Sequence, residues 1–278
     1  MTEWGAIMRA RFADLAARRS DQIPLAEAAL LIAAEEYPDL EVERYLRQID
    51  ALAEAVRGEL AATGEPRAAG TALTTFLYER ERFRGNEDDY YDPRNSFLNE
   101  VLDRRLGLPI TLSILYIEVA GRLGLNIRGI GLPGHFLVKL VDAGTYLDPY
   151  TGKVDLSESD CKERVRAIHG DSASLDTSAF EPQSNRQILT RMLTNLRMVY
   201  RTTGDLPRAR AALDRLVLLN PGASALYRDR GEVLAALGKY NLALKDVDQV
   251  RQLSPPNRRS RRFRNWRRFV REMAARMN

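Results

Sequence analysis

The chain has 278 residues, 45% apolar and 29% charged, with a single cysteine, two histidines and a net charge of +4. One cysteine rules out a disulfide framework or a cysteine-rich zinc site, and two histidines leave little for a histidine-based metal centre, so no metal and no cofactor are expected. No apolar run reaches the ~18 residues of a membrane span, and Met1–Trp4 lacks the basic-then-apolar order of a signal peptide, so the cytosol is the expected address.

Residues 5–20 are predicted to form a helix with Ile7, Met8, Phe12 and Leu15 inward. Leu25–Ala34 is apolar nearly all round and should be buried, with Pro24 in its first turn and Pro38 forbidding its continuation. Val42, Tyr45, Ile49, Leu52, Ala53, Val56 and Leu60 follow the i, i+3, i+4, i+7 template of an amphipathic helix. Leu73, Phe76 and Leu77 mark another, stopped at Gly85-Asn86. Asp92 is a suitable N-cap and Pro93 a suitable first residue for the helix carrying Phe97, Leu98, Val101 and Leu102. Gly107-Leu108-Pro109 breaks it. Ile110–Leu123 then reads as a central helix whose only charges, Glu118 and Arg122, form an i, i+4 pair.

The period changes to extended at Asn126–Gly131. His135–Val141, a turn at Asp142–Thr145, and Tyr146–Asp148 predict an antiparallel hairpin against the central helix, closed by Pro149 and Gly152. Residues 155–168 read as helix, and 170–183 as a polar connector. The glycine-rich stretch 129–134 follows a helix and precedes a strand, the opposite order from a phosphate loop.

The C-terminal part repeats. Gly204 and Gly238, Ala209 and Ala243, and Pro221 and Pro255 are each 34 residues apart, with Leu213/Val247 and Leu216/Val250 between them. This period resembles tetratricopeptide repeats, in which the alanines let antiparallel helices approach closely, and Tyr200 and Gly231 fall at positions that suit the pattern. Residues 258–278 contain nine arginines and one acid, Glu272, so the tail carries +8 and the rest of the chain −4. Phe263, Trp266, Phe269, Val270 and Met273 recur at helical spacing, which favours a docked capping helix over a free basic arm; binding of nucleic acid through 258–278 is the alternative.

His135 and Asp148 lie on adjacent strands of the predicted hairpin, where a carboxylate can orient an imidazole and stabilise its charged form. A nucleophile would then come from the start of the helix after Gly107-Leu108, where the helix N-terminus favours a thiolate. This order of glycine-x-nucleophile, helix, histidine strand and Asp-Pro strand resembles the transglutaminase-like, papain-related core. More narrowly, Tyr-Asp-Pro-Arg-Asn-Ser-Phe-Leu-Asn (91–99), Arg-Leu-Gly-Leu-Pro-Ile-Thr-Leu-Ser (105–113) and Pro-Gly-His-Phe-Leu-Val (133–138) are similar to the bacterial SirB-one (YchA-like) proteins, which join such a core to C-terminal tetratricopeptide repeats. That resemblance implies a catalytic cysteine directly after glycine-x. Here Pro109 stands there, and 90–150 contains no cysteine. The nearest hydroxyls are Thr111 and Ser113, and Ser113 lies about one turn further along.

Three readings of the pair follow: a retained structural contact without catalysis, a pocket that holds a peptide or acyl group without turning it over, and a hydrolase or acyl transferase using Ser113 or Thr111 with His135 and Asp148. Cys161 reads as a lone reduced thiol on a surface helix, His169 as a helix-end histidine. Asn95 and Asn99 could line the pocket or serve the backbone. Glu87, Asp88, Asp89 and Asp92 could bind a cation but read as a solvated acidic loop, and Arg104 and Arg105 could hold an acidic ligand or pair with that loop.

The expected architecture is α+β and predominantly helical: an N-terminal helical section (1–85), a transglutaminase-like core with a small antiparallel sheet and its connector (86–183), two tetratricopeptide repeats (184–257) and a basic capping helix (258–278). The expected role is a non-catalytic scaffold for a protein or peptide partner.

Overall fold

The structure is a computed structural model that describes residues 3–170, 175–254 and 260–277. It divides into two compact units, residues 1–192 and 193–278.

The first unit opens with α1 (Glu3–Ala16), α2 (Leu25–Ala33), α3 (Val42–Ala61) and α4 (Pro66–Thr74), the last running on as a π-helical turn over Thr75–Arg80. Every residue of α2 except Glu27 is buried, as its unbroken apolar composition requires. Pro24 sits one residue earlier than expected, at the N-cap rather than inside the first turn. A two-residue strand, β1 (Arg84–Gly85), pairs in parallel with β2 (Leu106–Gly107). Between them lies α5 (Leu98–Arg104), and α6 (Pro109–Arg122) follows β2. Asp92 does act as a cap, accepting from the Arg94 N–H at 2.9 Å, but it caps a short 3-10 turn over Pro93–Ser96; Phe97 is extended, and the α-helix starts only at Leu98.

Strands β3 (Ile127–Ile130), β4 (Leu137–Leu140), β5 (Thr145–Asp148) and β6 (Lys153–Leu156) form an antiparallel sheet in sequence order. β3 and β4 pack on α6, whose central side chains from Ile110 to Tyr116 are buried. Gly144, at φ 67°, makes the left-handed step into β5. The fourth strand corrects the expectation of helix from residue 155: β6 occupies 153–156, and α7 (Glu158–His169) begins after a capping box between Ser157 and Asp160.

The second unit takes up the end of α8 (Asn185–Thr202), then α9 (Leu206–Leu219), α10 (Ser224–Ala236), α11 (Tyr240–Leu253) and α12 (Arg261–Met277). The 34-residue period is visible in the backbone. Gly204 (φ 77°) and Gly238 (φ 72°) follow α8 and α10, the first helices of the two repeats, and in both turns the following N–H returns to a carbonyl five residues back: Asp205 to Tyr200, and Lys239 to Leu234, each at 2.8 Å. Ala209 and Ala243 are wholly buried where helices approach. Pro255, the last landmark of the period, lies outside the described residues.

Gly231 is needed for a different reason. A Cβ there would stand 2.6 Å from the Trp266 ring of α12. Gly231→Val is therefore expected to cost about 1–3 kcal/mol by overpacking and to push the indole outward. The check is a lowered melting temperature together with a red-shifted tryptophan emission; an unshifted spectrum would mean that α12 does not depend on this contact.

Candidate functional site

His135 and Asp148 come together because β4 and β5 pair with Val138 opposite Leu147, so the start of one strand meets the end of the other. His135 Nε2 lies 3.1 Å from Asp148 Oδ2, at ion-pair distance but off the line of a hydrogen bond. Both residues are buried. Gly134, at φ 68°, turns the chain into His135, and a side chain there would collide with His169 at the end of α7. Arg191 of α8 fastens the same turn, donating to the carbonyls of Leu132 (2.6 Å) and His135 (2.7 Å) and stacking on Phe136.

Asp148 is not reserved for the histidine. The Thr151 hydroxyl donates to Oδ2 at 2.8 Å, Arg164 of α7 pairs with the same oxygen at 2.9 Å, and the Tyr150 N–H donates to Oδ1 at 3.0 Å. Burial alone would raise the Asp148 pKa; the adjacent His135 ring, Arg164 and Thr151 outweigh it and hold the carboxyl below its ordinary value. Much of the charge that could stabilise an imidazolium is thus already answered by a guanidinium.

His135 borders an open cleft of about 720 Å³, with Asp148 wholly buried behind it. Its wall includes Tyr90, Tyr150 and His135, the apolar Pro109, Leu156, Ala167 and Ile168, and the charged Lys153, Asp160, Glu163 and Arg164. Pro109, first residue of α6, therefore shares this wall with His135. Among the described residues, no serine, threonine or cysteine lines it.

The other candidates go elsewhere. Thr111 is fully buried; its Oγ1 accepts from the Leu108 N–H at 3.0 Å and donates to the Asn95 carbonyl at 2.7 Å, which fixes the start of α6. Ser113 is fully buried, with its hydroxyl unpartnered. Asn95 is an internal bracket: its amide donates to the Asp89 carbonyl at 2.7 Å and accepts from Asn86 at 3.0 Å. Asn99 borders a different cavity, of about 390 Å³, beside Tyr37, Tyr45 and Asp103. Arg104 reaches Asp92 at 3.4 Å; Arg105 pairs with Glu81 at 3.2 Å and lies 4.3 Å over Phe83. Arg104 thus pairs with the acidic loop through Asp92, whereas Arg105 does not, and neither arginine lines the cleft. No group of three or more histidine, cysteine, aspartate or glutamate residues among those described is placed to hold a metal ion.

Cys161 does lie on a surface helix, α7, but is itself buried. It faces inward from α7 among Ile130, Leu132, Leu137, Tyr146 and Phe180. Burial, with nearby carboxylates, pushes its thiol up to about 12. Ellman's reagent at pH 8 should leave the folded protein unmodified and titrate one thiol in denaturant; rapid native reaction would contradict this burial.

Sequence reasoning missed Tyr150, Thr151, Arg164 and Arg191. An aspartate followed by residues whose N–H and hydroxyl can turn back to it is an Asx-type turn, so Asp148-Pro-Tyr-Thr151 did carry a local signal. Arg164 and Arg191 come from distant helices and carried none.

Comparison with known proteins agrees with this architecture. Residues 43–194 match the transglutaminase-like superfamily and residues 196–274 the tetratricopeptide repeat. Over 247 residues, 87% of this chain and 88% of the relative, the sequence is 39% identical to a UPF0162 protein of Xylella fastidiosa. Identity to a UPF0162 protein of Pseudomonas aeruginosa is 30% over 233 residues, 83% of this chain and 84% of that one. A more distant likeness covers 135 residues of human F-box only protein 21, at 27% identity, 45% of this chain and 20% of that protein. No solved structure matches the chain. Among the described residues, no helix is long and apolar enough to cross a membrane.

Proposed function

We infer the role of this chain from its family as a starting point: it belongs to the UPF0162 family, and its larger unit is transglutaminase-like. Within that family we propose that it is a non-catalytic scaffold, acting in the cytosol, that holds an extended peptide or protein segment in the cleft beside His135, with the tetratricopeptide repeats as a second contact surface. The narrower kinship, to the SirB-one proteins, is proposed on the motifs at 91–99, 105–113 and 133–138.

One observation carries this reading: the cleft is lined by His135, backed by Asp148, but presents Pro109 at the head of α6, where the transglutaminase-like resemblance implies a thiol. A pyrrolidine ring has no nucleophilic atom. Thr111 spends its hydroxyl on the helix cap, and Ser113 is buried away from the wall. The Arg164–Asp148 pair weakens the acid–imidazole couple further as catalytic equipment. What remains suits binding: apolar patches for side chains, two tyrosines, and charges of both signs around an open trough.

The competing reading is acyl transfer or amide hydrolysis through a hydroxyl. A fluorophosphonate probe distinguishes the two. It should mark neither Ser113 nor Thr111, while peptides selected from a random display library against the full chain should lose affinity at least tenfold on Ala167→Arg with the melting temperature unchanged. Probe labelling that disappears in His135→Ala would overturn the scaffold reading in favour of an enzyme, and selected peptides indifferent to Ala167→Arg would remove the cleft as the binding surface.

A further inference from the structure

The α12 helix separates its residues by chemistry. Phe263 and Val270 are buried in a cluster with α10 and α11 side chains, with Trp266 packed beside them, and Ala274 is buried too. Arg261, Arg264, Arg268 and Arg271 are exposed. Their spacing of three, four and three residues places them on one stripe roughly 15 Å long, on the side opposite the docked face. Docking and basicity are therefore not alternatives: the apolar face anchors the helix, and anchoring fixes the arginines outward.

These arginines differ from others in the chain. Arg104, Arg122, Arg164, Arg197 and Arg230 each pair with a carboxylate. Among the described residues Arg261, Arg268 and Arg271 enter no ion pair, and Arg268 reaches only the Asn265 side-chain oxygen, at 3.4 Å. The rest of the chain carries net negative charge, and these side chains draw none of it.

We propose that the α12 stripe binds the phosphodiester backbone of duplex nucleic acid. The tail's basic residues are all arginine, with no lysine, and the guanidinium fork matches phosphate oxygens in pairs. A straight, regularly spaced row of cations fits a rigid line of phosphates, which a duplex supplies at one charge per about 1.7 Å of axis. A membrane surface fits less well, because interfacial helices insert their apolar face and this one is spent inside the repeat unit. Single strands are held by successive stacked aromatics. Phe269, the exposed aromatic of α12, is single and already sits edge-on to Tyr240, with ring centres 6.4 Å apart. Nothing on the stripe reads bases, so binding is independent of sequence.

The test is fluorescence anisotropy of the full chain with a fluorescein-labelled 20-base-pair mixed-sequence DNA duplex. Phosphate contacts by Arg261, Arg268 and Arg271 account for a fall in affinity of about 40-fold between 50 and 200 mM salt. The triple change Arg261→Gln, Arg268→Gln, Arg271→Gln should remove that much of the salt dependence and weaken binding at least tenfold at 50 mM, with the melting temperature unchanged because the docked face is intact. No binding at 50 mM salt, or equal binding by the triple variant, would overturn the proposal. So would tighter association with polyglutamate or with phosphatidylserine vesicles than with the duplex.

Discussion

Replacing Asp148 with alanine should destabilise the larger unit by about 3–5 kcal/mol, the cost of leaving charged or polar partners buried without their counterpart. The side chain is wholly buried and answers four groups at once: the His135 ring, Arg164, the Thr151 hydroxyl and the Tyr150 N–H. Arg164, partly exposed, recovers some solvation by turning outward; His135 cannot, because Arg191 and Gly134 hold its turn. For a unit of this size the melting temperature should fall by about 10 °C. A fall of a degree or less would show that the cluster is not structural. The same residue sets an acid limit. Its folded pKa lies below the ordinary 3.8, so its contribution is complete above that value and is lost as the pH falls through the lower, folded value. Wild type should therefore lose stability on acidification through this window faster than Asp148→Asn; parallel curves would contradict the assignment.

Much of this arrangement was legible beforehand where a long period imposed itself. Val42–Ala61 shows an apolar residue at every turn, and 20 residues of agreement leave little room for another structure. The histidine and aspartate could be paired because a short turn between two β-rich runs forces their ends together. β6 was missed for a physical reason. Four residues of alternation are too few to outweigh the strong helix-start signal that follows at Ser157, and Asp155 adopts φ 56° in a strand whose pairing shifts register. The Asp92-Pro93 cap was read correctly as chemistry and wrongly as extent. Asn95, turned inward to hold the 86–90 loop, and the extended Phe97 divide what composition alone would make one helix. Arg164, 16 residues beyond Asp148 in sequence, joins the site from α7, and no local pattern announces such a contact.

The second large effect is a gain. A thiol introduced by Pro109→Cys would sit at the N-terminus of a 14-residue helix, on the same cleft wall as His135. The helix dipole favours thiolate, as does an imidazole on the same wall that takes up the proton, and such settings bring cysteine from about 8.5 into the range 3.5–7.5. The native Cys161, pushed up to about 12 inside α7, supplies an unreactive internal control. The substitution should cost about 0.4–1 kcal/mol, since it gives up proline's restriction of the unfolded chain and adds one N–H outside the helix's own hydrogen-bond ladder.

The most direct measurement is thus iodoacetamide alkylation of Pro109→Cys at pH 6, read by peptide mapping against Cys161. If the cleft is a transglutaminase-like site lacking only its nucleophile, the new thiol should react on the order of 100-fold faster than Cys161, and His135→Ala should sharply slow it. A new thiol that reacts like an ordinary surface cysteine, indifferent to His135, would show that the head of α6 was never the place of attack.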